Sequence, residues 1–540
     1  MENPKVLNIT DYLFDFAKSN PNKPALLYPQ RITFSELCKT IDYYATGFQR
    51  NGILKGIKTI VLIKPGVELF AATFALLRIG AVPVMIDPGM GIKNMSVALS
   101  KAQAEAIVGI PKAMLLRYIL PTYYKSVKVW ISTNSSWFWH GLSLKHFTRF
   151  KDAKYTTCQV EPNDNAAVFF TSGSTGPAKG VIYKSSMLDA QIQILKNHFK
   201  YSPDEVDLCT FPLIGLLIMF LGITVVLADM DMTHPAKLNP SKLIQNIIQF
   251  ECTHMFCSPM VLQKLAVFGN ENEIHLFTLK RIMTAGAPVS ADILKGFQKI
   301  IPKNSEIHTP YGATEALPVT DISHNELLEL YENPENLFQG ICIGYPLDGI
   351  DLQIIQISDA PIKFWVDVRK LKNGEIGEIV VGGPNVTQEY LANNDGNLKS
   401  KIYESDSGRF WHRTGDLGRF DEKGRVWFYG RKSQRVLLKD KTLFTIPCEA
   451  VFNQHPLVSR SALVGVKLQK KNVPVICIEL VSGIKRTEKL KKEWLDLAIL
   501  NPLTKEINTV LFHRKFPVDP RHNAKIFREK LSEWAQNQLR

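Results

Sequence analysis

Glycines and hydroxyl side chains are concentrated in one short segment, which follows the apolar run AAVFF and precedes Lys179. Glycine lets the backbone bend towards a ligand, and backbone N–H groups and hydroxyls donate hydrogen bonds to phosphate oxygens. A turn rich in serine and glycine is often only a loop, but the apolar strand before it and the nearby lysine favour phosphate binding. The Gly-Lys-Ser/Thr ending of a Walker loop is absent. The segment therefore predicts a phosphate-binding loop made of Thr171, Ser172, Gly173, Ser174, Thr175, Gly176 and Lys179.

Short apolar runs alternate with longer amphipathic stretches from about residue 59 onward. Runs such as TIVLI, AVPVMI, AAVFF and EIVVGG are typical of buried strands, and LFAATFALLRIG is typical of a helix that connects two strands. This alternation predicts an α/β fold with mixed sheets. The segment Phe211 to Ala228 is uncharged over eighteen residues, but its proline and glycines favour a short helix and a buried strand over a membrane span.

The chain of 540 residues is too long for one ordinary core, so we expect at least two domains. The clearest change of composition follows Gly430 and Arg431. Beyond it, the runs SALVGVK and VPVICIELV and a lysine-rich helix near 488–500 predict a compact α+β module. We therefore predict a large N-terminal domain over 1–431 and a small C-terminal domain over 432–540.

The formal net charge is +14, and residues 432–540 hold 21 Lys or Arg against 10 Asp or Glu. Such an excess usually marks a solvated face; attraction of polyphosphate, of an acidic protein or of an anionic membrane surface is the alternative. Nucleic acid is not expected as a partner, because no recognised binding motif accompanies the charge.

The N-terminal residues lack the pattern of a secretory signal, and the eight cysteines suggest neither a disulfide framework nor a zinc site. We expect a cytoplasmic protein without a transmembrane segment. Placement at the periphery of a membrane or in a multienzyme assembly is left open.

Five motifs, in order along the chain, resemble those of the adenylate-forming superfamily of acyl-CoA synthetases, peptide synthetase adenylation domains and luciferases. They are FTSGSTGPAKG, AGAP, YGATE, RTGDLG with FYGRK, and HNAKIFREKL. The phosphate loop departs from the superfamily pattern only in that its proline, Pro177, comes one residue early. The resemblance implies that ATP is bound by the phosphate loop and by Gly286, Ala287, Pro288, Tyr311, Gly312, Thr314, Asp416 and Arg431.

The resemblance also implies a role for each charged residue of these motifs. The AGAP segment would lie against the adenine, and Tyr311 of YGATE would stack on it. Thr314 would bond phosphate and Glu315 would hold Mg²⁺, while Asp416 would bind the ribose hydroxyls. Arg431 would lie at the ribose and the interdomain hinge, and Lys525 would be the catalytic lysine, carried by a mobile C-terminal domain. Outside these motifs, the same residue types would be solvated carboxylates, strand-capping carboxylates or surface charges. The cations suit the reaction, because a carboxylate must attack the α-phosphorus of ATP while both are negatively charged.

Longer runs such as HTPYGATEALPV, LFTIPCEAVFNQHP and FPVDPRHNAKIFREKL are most similar to the β-lactone synthetases of bacterial olefin biosynthesis. That resemblance implies a 2-alkyl-3-hydroxy fatty acid as the substrate, which is adenylated and then closed to a β-lactone by its own 3-hydroxyl. It also implies a thiolase-like enzyme, a reductase and an α/β-hydrolase as pathway partners.

Two departures from the pattern of CoA ligases support this narrower interpretation. Ser433 and the run Lys439-Asp440-Lys441 replace the usual residues after the hinge, and Ile214 with Gly215 stands where many CoA ligases have a histidine. Two alternatives remain open: a long-chain acyl-CoA or acyl-carrier-protein ligase, and an inactive nucleotide-binding scaffold.

Overall fold

The computed structural model describes residues 8–171, 178–468, 471–518 and 526–540. Its strands are β1 Pro24–Tyr28, β2 Ile32–Thr33, β3 Lys58–Leu62, β4 Val82–Ile86, β5 Ala106–Gly109, β6 Val129–Ser132, β7 Asn165–Thr171, β8 Lys179–Lys184, β9 Val206–Cys209, β10 Thr224–Leu227, β11 His254–Cys257, β12 Arg281–Thr284, β13 Glu306–His308, β14 Tyr311–Ala313, β15 Ala316–Asp321, β16 Ile341–Pro346, β17 Asp351–Ile355, β18 Gly377–Gly382, β19 Lys401–Glu404, β20 Arg409–Phe420, β21 Val426–Arg431, β22 Val436–Leu437, β23 Thr442–Leu443, β24 Val458–Leu468, β25 Lys471–Leu480 and β26 Val510–Phe512.

The helices connect these strands and cover the sheets. They are α1 Thr10–Ser19, α2 Phe34–Arg50, α3 Val67–Arg78, α4 Ile92–Ser100, α5 Pro111–Met114, α6 Leu116–Ile119, α7 Ser185–Phe199, α8 Pro212–Met219, α9 Pro240–Gln249, α10 Pro259–Glu271, α11 Ala291–Gln298, α12 His324–Glu332, α13 Asn394–Ser400, α14 Thr445–Asn453, α15 Glu488–Leu500 and α16 Arg528–Leu539.

Two mostly parallel sheets and one antiparallel sheet form the larger part of the molecule. The first sheet has the order β6-β5-β3-β4-β7-β8, and the second has the order β13-β12-β11-β9-β10-β1-β2. Each is parallel except for one pair at its edge, β7 with β8 and β1 with β2. The third sheet, β14-β15-β16-β21-β20-β18-β17 with β19 beside β20, is antiparallel throughout. The predicted α/β class with mixed sheets is confirmed.

Apolar patterning explains why these elements form where they do. Helix α3 is buried on nearly all sides, because it packs between the first sheet and α2, and β18 is buried at every residue. Helix α2 begins with a capping box, in which Thr33 and Glu36 exchange hydrogen bonds. The uncharged segment after Phe211 forms α8 and the fully buried β10, as its prolines and glycines predict. Among the described residues, every helix is too short or too polar to span a bilayer.

Residues after Arg431 build a sheet of their own, β24-β25-β26, and a short hairpin of β22 and β23. The strands predicted from SALVGVK and VPVICIELV are β24 and β25, and the lysine-rich helix is α15. Trp494 of α15 is fully buried against this sheet, together with Phe452 and Ile476. The division of the chain into 1–431 and 432–540 stays a prediction.

Candidate active site

One cavity of about 1680 Å³ brings the predicted site residues together. Typical ligand cavities have about 300–1,000 Å³, so this one has room for more than a nucleotide. The predicted site residues in the described ranges all line it: Thr171, Lys179, Gly286, Ala287, Pro288, Tyr311, Gly312, Thr314, Glu315, Asp416 and Arg431. The remaining ones, Ser172, Gly173, Ser174, Thr175, Gly176 and Lys525, lie outside the described residues.

The two ends of the predicted phosphate loop are held by a hairpin. Thr171 ends β7 and Lys179 begins β8, and the two residues are direct partners in the antiparallel pair. Because β7 also pairs with β4 inside the first sheet, the loop is anchored on a buried strand. Lys179 points its ammonium at the ring of Tyr390, with Nζ 4.9 Å from the ring centre.

The predicted adenine segment is the connection between β12 and α11. Gly286 has a φ of +91°, a left-handed conformation that a side chain would strain. Gly312 of the second adenine motif is equally restricted, because a Cβ there would lie 2.8 Å from the carbonyl oxygen of Ala316. Glycine at both positions lets the backbone line the cavity closely.

Asp416, the predicted ribose ligand, is oriented by residues from neighbouring strands. The hydroxyl of Tyr311 donates to its Oδ2 at 2.6 Å, and Arg431 Nε lies 3.1 Å from its Oδ1. Arg431 also donates to the carbonyl of Thr414 at 3.0 Å, which fixes the guanidinium on β20. Asp416 raises the pKa of the Arg431 guanidinium. A buried carboxylate aimed into a cavity is a hydrogen-bond acceptor for hydroxyl groups.

Glu315 is held at both its main chain and its side chain. Its Oε1 accepts a 2.7 Å hydrogen bond from the hydroxyl of Tyr390, and its carbonyl accepts from Thr387 N–H at 2.9 Å and from Thr387 Oγ1 at 3.1 Å. The neighbouring Thr314 carbonyl accepts a 2.6 Å bond from Tyr183. A carboxylate ordered in this way has the oxygen ligands that Mg²⁺ prefers.

Comparison with known proteins agrees with this arrangement. Residues 13–391 match the family described as AMP-binding enzyme. The chain belongs to the AMP-binding enzyme family. Over 517 residues it is 38% identical to an olefin beta-lactone synthetase of Xanthomonas campestris pv. campestris, with 95% of this chain and 92% of that protein covered. A protein of the same name from Stenotrophomonas maltophilia is 37% identical over 550 residues, with 98% of each chain covered.

Solved structures support the fold of this AMP-binding enzyme. Amide bond synthetase McbA from Marinactinospora thermotolerans superposes with a TM-score of 0.78 at 20% identity, covering 97% of this chain and 99% of that one. The O-succinylbenzoate coenzyme A synthetase from Bacillus subtilis, in complex with AMP, gives a TM-score of 0.74 at 20% identity, over 96% and 97% of the two chains.

Three polar residues near Lys179 of this AMP-binding enzyme were not among the motif residues: Tyr390 and His412, which line the cavity, and Lys401, which lies next to them. Lys401 is fully buried, and burial lowers the pKa of its ammonium to about 7. Lysine is depleted in strands, and Lys401 opens β19, which is the one sequence signal that singles it out. Tyr390 and His412 carry no such signal, because their partners are far away in the chain.

His412 lies opposite Lys401 in the pair of β19 and β20. Its Nδ1 is 3.2 Å from the carbonyl oxygen of Ser400, so Nδ1 carries the proton and Nε2 is an acceptor. Burial, and then the charge of Lys401, hold the pKa of this imidazole well below its usual range. His412 is therefore neutral at neutral pH.

The deep part of the cavity is apolar and lies between the first sheet and α8. Ile214 lines it, but Gly215 does not: a Cβ at residue 215 would lie 2.8 Å from Cys209 Sγ, so this glycine packs α8 against β9. The apolar lining includes Leu69, Phe74, Leu77, Leu213, Leu216, Leu217, Phe220, Met230 and Met232. Such a wall accepts alkyl chains and contributes about 25 cal/mol per Å² of apolar surface that it buries.

Residues after 432 close one side of the cavity. Arg528 Nη2 donates to the buried carboxylate of Glu449 at 2.7 Å, and Arg528 Nη1 donates to Gln434 at 3.2 Å. Ile526 and Phe527, directly after Lys525, also line the cavity.

Proposed function

We propose that this AMP-binding enzyme uses ATP to activate a 2-alkyl-3-hydroxy fatty acid and closes the acyl-adenylate to a β-lactone. The proposal rests on one observation above others: two proteins named olefin beta-lactone synthetase are 38% and 37% identical to nearly the whole chain. The continuous cavity supports it, because polar groups suited to a nucleotide and an apolar wall suited to alkyl chains share one space.

The first step joins the acid to AMP. A carboxylate oxygen of the substrate attacks the α-phosphorus of ATP, and the bond to pyrophosphate breaks. Asp416 and Tyr311 would hold the ribose and adenine, while Lys179 would bind the outer phosphates. We propose Lys525 as the residue that bridges the attacking carboxylate and the α-phosphate.

The second step releases AMP. The substrate's 3-hydroxyl oxygen attacks the acyl carbonyl, its proton passes to water, and the bond between the carbonyl carbon and the AMP oxygen breaks. Because nucleophile and electrophile belong to one molecule, correct placement lowers the barrier by about 7–11 kcal/mol. This gain helps to offset the strain of a four-membered ring.

We propose Mg²⁺ as the metal, with Glu315 as its protein ligand. The fit rests on the Tyr390 hydroxyl and the Thr387 contacts, which hold the Glu315 carboxylate at the cavity wall. Mg²⁺ is usually bound by one or two carboxylates together with substrate phosphates. When bound, it would neutralise charge on the phosphates, and the residues of this chain hold and orient the ATP around it.

The pathway partners of this enzyme are proposed from the chemistry of its substrate and product. A 2-alkyl-3-hydroxy acid requires a condensation that joins two acyl chains and a reduction of the resulting ketone, and a β-lactone is a substrate for an α/β-hydrolase. We therefore propose a thiolase-like enzyme, a reductase and an α/β-hydrolase as partners. We further propose a cytoplasmic location, since the cytoplasm supplies the ATP that the reaction consumes.

The deciding experiment follows the products of a synthetic 2-alkyl-3-hydroxy fatty acid with ATP and Mg²⁺, with and without coenzyme A. We expect a β-lactone without coenzyme A, with one AMP and one pyrophosphate for each lactone, measured by NMR or mass spectrometry. The matched control is the 3-methoxy analogue, which should support ATP–pyrophosphate exchange but give no lactone. Formation of only an acyl-CoA would replace the proposal with an acyl-CoA ligase, and an absence of exchange with any acid would favour the scaffold.

A further inference from the structure

Lys401 is a buried lysine next to two residues of the cavity wall, Ser400 and His412. Its Nζ donates to the carbonyl of Thr387, and it lies 3.0 Å from Thr387 Oγ1. No carboxylate forms an ion pair with Lys401 within the described ranges, which lack 1–7, 172–177, 469–470 and 519–525. A buried ammonium without a paired carboxylate costs free energy, because the protein replaces its water shell only in part.

Thr387 is hydrogen-bonded to both Lys401 and Glu315. Its hydroxyl accepts from Lys401 and donates to the carbonyl of Glu315 at 3.1 Å, and its N–H donates to the same carbonyl at 2.9 Å. The main chain of the proposed metal ligand is thus bound to a residue that Lys401 orders.

Tyr390 provides a second connection from Lys401 to Glu315. Lys401 Nζ is 5.4 Å and Lys179 Nζ is 4.9 Å from the centre of the Tyr390 ring. The hydroxyl of the same ring donates to Glu315 Oε1 at 2.7 Å. Two lysines therefore pack near the Tyr390 ring, and the hydroxyl of that ring orients the Glu315 carboxylate.

We propose that Lys401 is a positioning residue for the proposed adenylation step: through Thr387 and Tyr390 it orients Glu315 for a divalent cation bound to the ATP phosphates. A methionine of similar length would fill the same space without the hydrogen bonds to Thr387.

The test compares Lys401→Met with Lys401→Arg in ATP–pyrophosphate exchange, with Mg²⁺ titrated at fixed ATP. Loss of the hydrogen bonds from Lys401 to Thr387 should leave Glu315 less well oriented, which should raise the half-saturating Mg²⁺ concentration about tenfold and lower the exchange rate. Lys401→Arg should recover most of the loss, because its guanidinium still donates hydrogen bonds. The matched control is Lys370→Met, since Lys370 is exposed, lies 5.3 Å from the Trp365 ring centre and is outside the cavity. The half-saturating Mg²⁺ concentration of Lys370→Met should equal that of the wild type.

Tyr390→Phe keeps the ring and removes the hydroxyl that Glu315 accepts. It should also raise the half-saturating Mg²⁺ concentration, and its effect should not add fully to that of Lys401→Met, because both act on one carboxylate. Tyr390→Phe alone decides the proposal if Lys401→Met does not fold. An unchanged Mg²⁺ dependence in the folded Lys401→Met variant, or in Tyr390→Phe, would overturn the proposal.

Because the inference rests on the proposed function, a second measurement separates the two. Calorimetric binding of a non-hydrolysable ATP analogue with Mg²⁺ needs no acid substrate. A wild-type protein that binds Mg²⁺ and the analogue but activates no hydroxy acid would refute the proposed substrate only. A Lys401→Met variant that binds them as tightly as the wild type would refute the role of Lys401 only.

Discussion

The hydroxyl of Tyr311 donates a 2.6 Å hydrogen bond to Asp416, which lies 105 residues later in the chain. The bond joins the predicted adenine-stacking ring to the predicted ribose-binding carboxylate. Burial, and then the charge of Asp416, raise the pKa of the Tyr311 hydroxyl well above its usual value, so the hydroxyl keeps its proton and is a donor at neutral pH. The two motifs therefore act as one preformed unit, and Asp416 is oriented before the nucleotide binds.

Tyr311→Phe should weaken ATP binding while the aromatic ring stays in place. A hydrogen bond to a charged group contributes about 1.5–3 kcal/mol, so we expect the KM for ATP to rise on the order of tenfold or more. The measurement is ATP–pyrophosphate exchange at saturating acid. Tyr345→Phe is the matched control, because Tyr345 donates a 2.8 Å bond to the carboxylate of Glu326 at the surface. An unchanged KM in Tyr311→Phe would mean that Asp416 is oriented by Arg431 alone.

Lys525→Ala should nearly abolish adenylation and leave ATP binding largely intact. The lysine is proposed to stabilise the transferring phosphoryl group, so its loss affects the transition state more than the ground state. Pyrophosphate release and equilibrium binding of an ATP analogue measure the two effects separately. Lys530→Ala is a suitable control, because Lys530 is in α16 of the same segment and is not among the cavity-lining residues. Pyrophosphate release at the wild-type rate from Lys525→Ala would remove this lysine from the mechanism.

The motifs predicted most of this site, because each carries its chemistry in adjacent residues. Strand, loop and lysine occur together in 165–180, so the hairpin of β7 and β8 follows from local sequence. Lys401 was not predicted, for the opposite reason. Its proposed role depends on contacts with Tyr390 and Thr387, which form only in the folded chain. A long-range contact of this kind leaves no spacing in the sequence.

Gly215 shows a different limit of sequence reasoning. The sequence places it beside Ile214, in the segment that many CoA ligases use for the acyl pocket. The structure places only Ile214 on the cavity wall, because the residues of a helix face different directions and residue 215 faces Cys209. The proline and glycines of the apolar segment predicted the helix, but the direction of each side chain depends on how α8 packs against β9.

Ile214→Trp should shorten the alkyl chains that the cavity accepts. The larger side chain occupies space that the substrate would fill, and each CH₂ group excluded from an apolar wall loses about 0.8 kcal/mol. We expect kcat/KM for the longest chains to fall on the order of tenfold relative to short ones, measured with mixed hydroxy acids in competition. Ile248→Trp, at an exposed residue of α9, is the control. An equal loss for all chain lengths would indicate that Ile214 contacts the reacting end instead.

Asp321 joins His198 and His308 and makes stability depend on pH. Its Oδ2 accepts from His308 Nδ1 at 2.6 Å and from His198 Nε2 at 3.1 Å. Burial opposes charge on His308, but the hydrogen bond and charge of Asp321 outweigh it and raise the imidazole's pKa above 6.5. Burial likewise opposes charge on Asp321, yet the two imidazoles hold the pKa of its carboxyl below 3.8.

His308→Gln should therefore change the pH dependence of unfolding in a defined direction. Because the folded pKa of His308 lies above the unfolded value of 6.5, its stabilisation is complete below pH 6.5 and is lost as the pH rises through the folded pKa. The carboxyl of Asp321 acts oppositely: its contribution is present above pH 3.8 and is lost as the pH falls through the lowered pKa. The measurement is the Tm from pH 5 to 9. The Tm of the wild type should decline above pH 6.5, and the Tm of His308→Gln should decline less. The control is His234→Gln, at an exposed histidine paired with Asp231, whose Tm should depend on pH as in the wild type. If the Tm of His308→Gln fell with pH as steeply as that of the wild type, another group would be the cause of the decline in Tm.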